Sequence, residues 1–438
     1  MSFFKNVVAF LVMAVGSFVS GQVEVSKEDN IEPFSLLCRI YNVAKNPPIN
    51  YVYLQEADKI VDEIDALNKS LLEEKRHNEE ENSGNNSEAS VKPIVTRETA
   101  LAQLSLNQIT QRAHKILEDI RKINVEKKIE EAKAEFHKVI FGENGNESEL
   151  DQGALNGVNE RADACGKPGG GTKGSHAGNN LVVDFFCLCV QRQDGQGAKQ
   201  VCGFYVGSIY ENGLLGWNES RPIGSSTMWA SIKGGCGKYM QQHPKSTSEA
   251  RHTLDQFLKH LKTGGVYSQI KCDPGPPSNC RKENDVIVVD SNREAGTLGT
   301  GLIVNNTTEL TCSGKKGGWK KSDKNVHAGG ICVYYGKENL EGNINWLQKF
   351  KSALCIVDVA NNQSASIHRA LQKLQMILHR AEEIYETAKV ITEVKKPVGI
   401  PKALQNASGN LTVHNTTRIS SYSYNTNFCF IPPWVLFL

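Results

Sequence analysis

The fold is decided by residues 96–141, which read TRETALAQLSLNQITQRAHKILEDIRKINVEKKIEEAKAEFHKVIF. Apolar residues recur there at alternating steps of three and four, at Leu106, Ile109, Ala113, Ile116, Ile120 and Ile123. This spacing predicts one apolar stripe along a helix, with Leu117 facing the surface. Thr96 is suited to cap the helix, and no Pro or Gly lies between Thr96 and Gly142. An unbroken helix would have roughly 45 residues and a length of about 65–70 Å, far more than a globular enzyme core needs.

The apolar stripe changes direction near the middle of this stretch. After Ile123 it restarts at Val125 and continues through Ile129, Ala132, Phe136 and Val139. A step of two residues rotates the stripe by about 200°, so the second half faces another partner. Two alternatives stay open: a helix break near Asn124, and a continuous helix that changes its packing partner there.

Further helices of the same kind flank this segment. A helix over residues 52–80 is predicted by Ala57, Ile60, Ile64, Leu67 and Leu71. Together with the long stretch it forms an antiparallel helical hairpin over residues 52–141, joined by the polar run 79–90. A short helix is predicted by Ile344, Leu347, Phe350 and Leu354, and a longer one, ending before Pro397, by Ile367, Leu371, Leu374, Leu378, Ala381, Tyr385 and Ala388. The returning helices span residues 343–393. The longer one has the cleanest heptad spacing of the chain and should pack back along the first two.

Residues 142–335 have a different character. They are rich in glycine and contain nine cysteines between short apolar runs. We expect strands at 181–190, 201–209, 286–289 and 331–335. One helix is expected after Ser246, which forms a capping box with Glu249. The predicted fold is therefore mainly α: an elongated antiparallel coiled-coil bundle with an inserted disulfide-rich, Gly-rich α+β lobe.

The cysteines favour disulfides in an oxidising compartment. Of the twelve, eleven precede the tail: Cys38, Cys165, Cys187, Cys189, Cys202, Cys236, Cys272, Cys280, Cys312, Cys332 and Cys355. Their connectivity stays open. No C-x-x-C pair is present, and Cys187 and Cys189 have the wrong spacing for zinc. If the tail with Cys429 is removed, one of the eleven must be free or must pair between chains.

The N-terminus and the sequons indicate export. Residues 1–21 form a predicted signal peptide, with Lys5 before the apolar run 7–15 and small residues before the cleavage point. The N-x-[ST] sequons are Asn68, Asn85, Asn146, Asn218, Asn305, Asn306, Asn362, Asn406, Asn410 and Asn415. Ten sequons favour a glycosylated surface protein. Residues 22–397 would be its ectodomain.

The C-terminus predicts a lipid anchor. A short glycosylated stalk covers residues 398–421, and residues 422–438 end in an apolar run that is too short to span a bilayer. Small residues, a short polar spacer and this run fit a GPI-attachment signal that is removed in the mature protein. Ser421 is the first choice for the attachment site, with Ser420 and Asn415 as alternatives.

No catalytic, cofactor-binding or metal site is predicted. There is no G-x-S-x-G, H-E-x-x-H or EF-hand motif. Residues 169–175 (GGGTKGS) lack the Ser or Thr that follows the lysine of a phosphate loop, so we interpret them as a flexible surface loop. His252 and His260 are too far apart for a joint site. Lysines 315, 316, 320 and 321 surround Trp319 as a small basic patch, whereas 50 basic and 48 acidic residues indicate no nucleic-acid partner.

Taken in order, these features resemble a trypanosome variant surface glycoprotein. The segment Ile344-Asn345-Trp346-Leu347, followed by Leu354, is similar to the one that closes the lobe in that family. The short tail and the closing Pro432-Pro433-Trp434 resemble the congolense-type branch. The nearly absent C-terminal domain is a departure, and it puts a rigid spacer above the membrane in doubt.

The resemblance implies a non-enzymatic coat protein. It would be GPI-anchored in the outer leaflet of the plasma membrane, form homodimers and shield the cell surface from host antibodies. Exchange for antigenically different copies would provide antigenic variation and immune evasion. The alternative function is a coat-derived surface receptor for a host serum protein such as transferrin, which a pull-down from serum would reveal.

Overall fold

The computed structural model describes residues 24–81, 97–239, 243–272, 286–304, 309–320 and 325–394. The predicted signal peptide, the stalk, the GPI signal with Ser421 and Ser420, and several sequons and cysteines lie outside these ranges. These sequons are Asn85, Asn305, Asn306, Asn406, Asn410 and Asn415, and the cysteines are Cys280 and Cys429. The described residues form two compact units. Unit 1 is drawn from Met1–Pro48 and Glu130–Val357, and unit 2 from Ile49–Ile129 and Asp358–Leu438.

Helices dominate the described residues, which confirms the mainly α class. They are α1 (Ile31–Lys45), α2 (Gln55–Glu81), α3 (Arg97–Arg121), α4 (Val125–Phe141), α5 (Arg161–Cys165), α6 (Leu181–Cys189), α7 (Ser225–Tyr239), α8 (Thr247–Thr263), α9 (Leu340–Asn343) and α10 (Asn345–Val394). The strands are β1 (Gly166–Lys167), β2 (Thr172–Lys173), β3 (Gly265–Cys272), β4 (Val286–Glu294), β5 (Thr297–Val304), β6 (Gly318–Lys320), β7 (Asn325–His327) and β8 (Gly329–Tyr334). No described helix is both long and apolar enough to cross a membrane.

The long stretch that opens the sequence analysis is broken. Helix α3 ends at Arg121 and α4 begins at Val125. The Oδ1 atom of Asn124 accepts a hydrogen bond from the Lys127 N–H at 3.3 Å, which satisfies one amide of the first turn of α4. Of the two open alternatives, the helix break near Asn124 is confirmed.

In unit 2, α2 and α3 pack antiparallel. Three side-chain pairs join the two helices: Asp58 with Arg121 at 2.6 Å, Asp65 with His114 at 3.0 Å, and Asn68 with Gln103 at 2.6 Å. The residue number increases along α2 while that of its partner decreases along α3, as expected for antiparallel helices. Between these pairs lies a core of small and branched apolar side chains: Ala57, Ile60, Val61, Ile64, Leu71, Leu106, Ile109, Ala113, Leu117 and Ile120.

Two sequence expectations about these helices are wrong. Leu117 is only 6% exposed, because the stripe steps from Ala113 by four and not by three, and Ile116 lies at its edge. The two returning helices are one helix, α10, of 50 residues. Between the predicted helices the buried stripe continues through the small residues Ala360 and Ser364, which carry little hydrophobic signal. The Ser364 hydroxyl donates to the Asn50 carbonyl at 2.7 Å.

In unit 1, a four-stranded sheet has the order β4-β3-β5-β8. Strand β3 is parallel to β5 and antiparallel to β4, and β5 is antiparallel to β8. The strands expected at 286–289 and 331–335 are confirmed as parts of β4 and β8. Strands β3 and β5 were not predicted, because their many polar and glycine residues hide the alternating pattern.

The other two expected strands are wrong. Residues 181–189 form helix α6, whose residues are all buried. A short, wholly apolar run has no period that separates a buried helix from a strand. The deciding contact is the side chain of Asn180, which caps α6 by accepting from the Val183 N–H at 2.9 Å. Residues 201–209 form turns, with positive φ angles at Gly203 and Gly207 that interrupt an extended chain.

Sequence reasoning located some of the helices of unit 1 and missed others. The cap of α8 by Ser246 is confirmed, since Ser246 Oγ accepts from the Glu249 N–H at 3.2 Å. The Glu249 carboxylate reaches one residue beyond the bond of a capping box and accepts from the Lys245 N–H at 2.7 Å. Helices α1 and α7 were missed. Helix α7 includes Gly235, which lowers helix propensity but leaves room for the Phe204 ring, whose Cζ would lie 2.2 Å from an added Cβ.

Candidate functional site

A buried carboxylate joins three elements of unit 1. Asp184 lies in the first turn of α6 and is fully buried. Its Oδ1 accepts from the Gly178 N–H at 2.9 Å. Its Oδ2 accepts from the Tyr335 hydroxyl at 2.8 Å and from the Trp346 indole N–H at 2.7 Å. We call these four residues the Asp184 network. It links α6 to the end of β8 and to the start of α10.

The electrostatics of this network fit a structural role. Burial raises the pKa of Asp184 to about 6, although the hydrogen bonds from Gly178, Trp346 and Tyr335 favour its ionised form. Burial, with the neighbouring Asp184 carboxylate, also raises the pKa of Tyr335 well above its ordinary value. Because the partners are buried and mutually bonded, the network fixes packing.

Sequence reasoning found one half of this network. Trp346 belongs to the segment that carries the family resemblance. It is buried, and its ring centroid lies 5.2 Å from that of Phe257 of α8. Asp184 was missed. Its signal was a single acid inside the apolar run LVVDFFCLC, since an isolated acid in such a run needs donors when it is buried.

Disulfides stabilise unit 1, which confirms the expectation that the protein contains them. Cys38–Cys236 joins α1 to α7, and Cys165–Cys187 joins α5 to α6. The other two described pairs are Cys189–Cys202 and Cys312–Cys332. Cys355 of α10 is also disulfide-bonded, and none of the described cysteines is free.

A polar cavity of about 360 Å³ lies in unit 1. Two arginines line this cavity, and they differ in the groups to which they donate hydrogen bonds. The guanidinium of Arg192 contacts Asp194 at 2.6 Å and Glu219 at 2.9 Å, and donates to the Ser313 carbonyl at 2.9 Å. Arg161 instead donates to two backbone carbonyls, those of Trp217 at 3.2 Å and Cys187 at 3.0 Å.

The expected basic patch is neutralised where the structure describes it. Lys315 pairs with Glu219 at 3.3 Å, and Lys316 pairs with Glu24 at 3.0 Å. The side chains of Lys320 and Lys321 lie outside the description. The two described lysines therefore do not form a patch of unpaired charge.

The glycine-rich run 169–175, which we expected to be a flexible surface loop, is mostly exposed but forms regular structure. It belongs to a small hairpin in which β1 and β2 flank a 3₁₀ turn, Pro168–Gly170. The Gly169 N–H donates to the Leu310 carbonyl, and the Gly174 N–H donates to the Tyr334 carbonyl, both at 3.1 Å. These backbone bonds hold the run against its neighbours.

The histidines of α8 contact different partners. His252 contacts Gln256 at 3.0 Å, and His260 lies 3.6 Å from the Glu32 carboxylate. Within the part of the chain that the structure describes, no group of three or more His, Cys, Asp or Glu side chains is placed to hold a metal ion.

The described sequons lie in different settings. Asn146 and Asn218 accept backbone N–H bonds in turns, from Ser148 and Glu149 and from Gln193 respectively. Asn68 of α2 accepts from Gln103, whereas Asn362 of α10 is exposed. Their glycosylation stays a prediction.

These features define a disulfide-stabilised, mainly helical protein whose central polar groups serve packing. A family model described as "Trypanosomal VSG domain" matches residues 12–99 and 77–271, more than half of the chain. The chain therefore belongs to the trypanosomal VSG domain family, the variant surface glycoproteins. This family consists of structural proteins of the trypanosome surface coat and is not an enzyme family. A comparison with curated proteins gave no match.

Proposed function

We propose that this protein is a GPI-anchored coat glycoprotein that shields the parasite surface and undergoes antigenic variation for immune evasion. The family match over residues 12–271 carries the proposal. The sequence adds the predicted signal peptide, ten sequons and the GPI-attachment signal. A lipid anchor would keep a dense coat mobile, and glycans would widen the area that each copy covers.

The test is release of the protein from living cells with a phosphatidylinositol-specific phospholipase C. We expect the protein to become soluble, and antibodies against invariant surface proteins to bind strongly only after release. Heat-inactivated enzyme is the control. Intact-mass analysis that finds Leu438 in the mature surface protein would exclude the anchor, and equal antibody binding before and after release would exclude shielding.

We also propose that the protein is a homodimer. Unit 2 exposes large apolar side chains on its helices, notably Leu101 (53%) and Leu104 (59%) of α3 and Met376 (73%) of α10. A two-fold dimer buries such a surface on both copies, because each copy contributes the same patch to the interface. Sedimentation of the purified protein should show a dimer at micromolar concentration. Leu104→Asp should yield a monomer with unchanged helix content, and a wild-type monomer at that concentration would contradict the proposal.

The alternative function as a receptor for a host serum protein has one supporting observation. Within the turns of unit 1, residues 205–223 expose several large apolar side chains: Tyr205, Ile209, Tyr210, Leu214 and Ile223. A contiguous exposed apolar patch marks a protein interaction site, and these side chains supply apolar surface for one. Recovery of one serum protein at stoichiometric amounts, together with a low copy number per cell, would favour the receptor over the coat protein.

A further inference from the structure

The starting observation is that a sequon lies in the wall of the polar cavity. Asn218 belongs to the sequon Asn218-Glu219-Ser220, and it lines the cavity of about 360 Å³ described above. The Asn218 side chain is half-buried, whereas Ser220 is exposed. Among the described sequons, this is the one whose asparagine contributes to the cavity wall.

The Asn218 amide is held in one orientation. Its Oδ1 atom accepts from the Gln193 N–H at 2.8 Å. Because a backbone N–H needs an oxygen as its acceptor, this bond also fixes the direction of Nδ2, the atom that carries the sugar in an N-linked glycan. Among the described residues Nδ2 has no hydrogen-bond partner, and protein atoms do not enclose it. A sugar on Nδ2 therefore breaks no hydrogen bond of the folded protein.

The cavity suits a neutral group that is rich in hydroxyls. Among the described residues, its charged lining is balanced, with Arg161, Arg192 and Lys315 against Glu160, Glu219 and Glu309. A balanced wall favours neither an anion nor a cation. Carboxylates accept hydrogen bonds and guanidinium and ammonium groups donate them, so such a wall can serve hydroxyls, which do both. The volume lies within the usual range of small-molecule sites, about 300–1,000 Å³.

We propose that Asn218 carries an N-linked glycan and that the first sugar of this glycan, a neutral N-acetylhexosamine, lies in the cavity. The inference rests on the proposed function, because only an exported chain meets the glycosylation machinery. In the attachment step, Nδ2 forms a bond to C1 of the sugar, loses one proton and displaces the pyrophosphate of a lipid-linked oligosaccharide donor. The sugar then belongs to the packing of unit 1, whereas the rest of the glycan extends into solvent.

The test is enzymatic release of the glycan by peptide N-glycosidase F from the purified mature protein, both folded and unfolded by reduction and heating. The enzyme converts a glycan-bearing asparagine to aspartate, so peptide mass spectrometry follows release at each sequon separately. At Asn218 we expect release from the folded protein to be at least about tenfold slower than from the unfolded protein. The reason is that hydrogen bonds to charged side chains hold the sugar in the cavity.

A variant separates the cavity from the surface around Asn218. Ala328 lines the cavity, so Ala328→Leu should displace the sugar and make its release from the folded protein as fast as from the unfolded protein. Ala134→Leu is the matched control and should keep the slow release, because Ala134 is exposed on α4 and does not line the cavity. Circular dichroism verifies that both variants fold.

Hydrogen–deuterium exchange is a second measurement, and it leaves the cavity wall unchanged. Ser220→Ala removes the sequon but keeps Asn218 and its bond to Gln193. Loss of the sugar should speed amide exchange in peptides that cover residues 309–315, which contribute to the cavity wall. A glycan that only extends into solvent would leave this exchange unchanged.

Four outcomes overturn the proposal: no glycan on Asn218, equal release from folded and unfolded protein, slow release in folded Ala328→Leu, or unchanged exchange in Ser220→Ala. If other sequons carry glycans and Asn218 does not, this inference fails and the proposed coat function stands. Release of the lipid anchor tests the coat function independently.

Discussion

Replacement of Asp184 by asparagine tests the central contact of unit 1. The carboxylate accepts from the Gly178 N–H on one oxygen and from the Tyr335 and Trp346 donors on the other. An asparagine has only one acceptor oxygen, so in either orientation its NH₂ group faces a donor. At least one buried donor is then unsatisfied, and we expect a loss of about 1–3 kcal/mol in the free energy of unfolding at pH 7.

The pH dependence of this loss identifies the carboxylate as its cause. The folded-state pKa of Asp184 is about 6, above its ordinary value of 3.8, because the group is buried. Between these values the folded state holds a proton that the unfolded state has released. Lowering the pH therefore stabilises the wild type, but it does not stabilise the asparagine variant through this group. From pH 7 to pH 5 the difference between them should grow by about 1 kcal/mol.

Urea unfolding, followed by circular dichroism at pH 7 and pH 5 with the disulfides intact, measures both effects. Asp255→Asn is the matched control, since Asp255 is exposed on the surface of α8. It should change the free energy of unfolding little at either pH. The reasoning is refuted if the loss in Asp184→Asn is the same at both pH values, or if it is smaller at pH 5.

Three further predictions concern the scaffold. The four described disulfides all join residues of unit 1, so reduction should destabilise that unit by about 2–5 kcal/mol per bond. In a thermal melt the transition of unit 2 should stay in place, and loss of both transitions together would contradict this prediction. Leu117→Asp places an unpaired charge in the buried stripe of α3 and should lower the free energy of unfolding by several kcal/mol, which circular dichroism would show as loss of helix on mild heating. Ile116→Asp, at the edge of the stripe, should lower it less. Ser246→Ala removes the cap of α8 and should lower the free energy of unfolding by about 1 kcal/mol in urea titrations, and an unchanged value would mean that the cap bond contributes nothing.

The helices of unit 2 were predictable because their signal is local. In α2 and α3 the apolar spacing of three and four extends over many turns, and a single error concerned which of two neighbours, Ile116 or Leu117, faces inward. The same local reasoning located α8, in which Ser246 and Glu249 have the three-residue spacing of a capping box. It failed for α10, because the buried stripe passes through Ala360 and Ser364.

The sequence by itself determined the mainly α class, the helical hairpin, the disulfide-rich middle region and the family resemblance, since each depends on residues that are near in the chain or on composition. Only the tertiary structure decided that the run around Asp184 is a helix, because that run is apolar on all sides. It also decided the Cys38–Cys236 pair, 198 residues apart, and the contact of Asp184 with Trp346, 162 residues apart. Such partners are selected by the packing of the whole unit, and no local pattern encodes them.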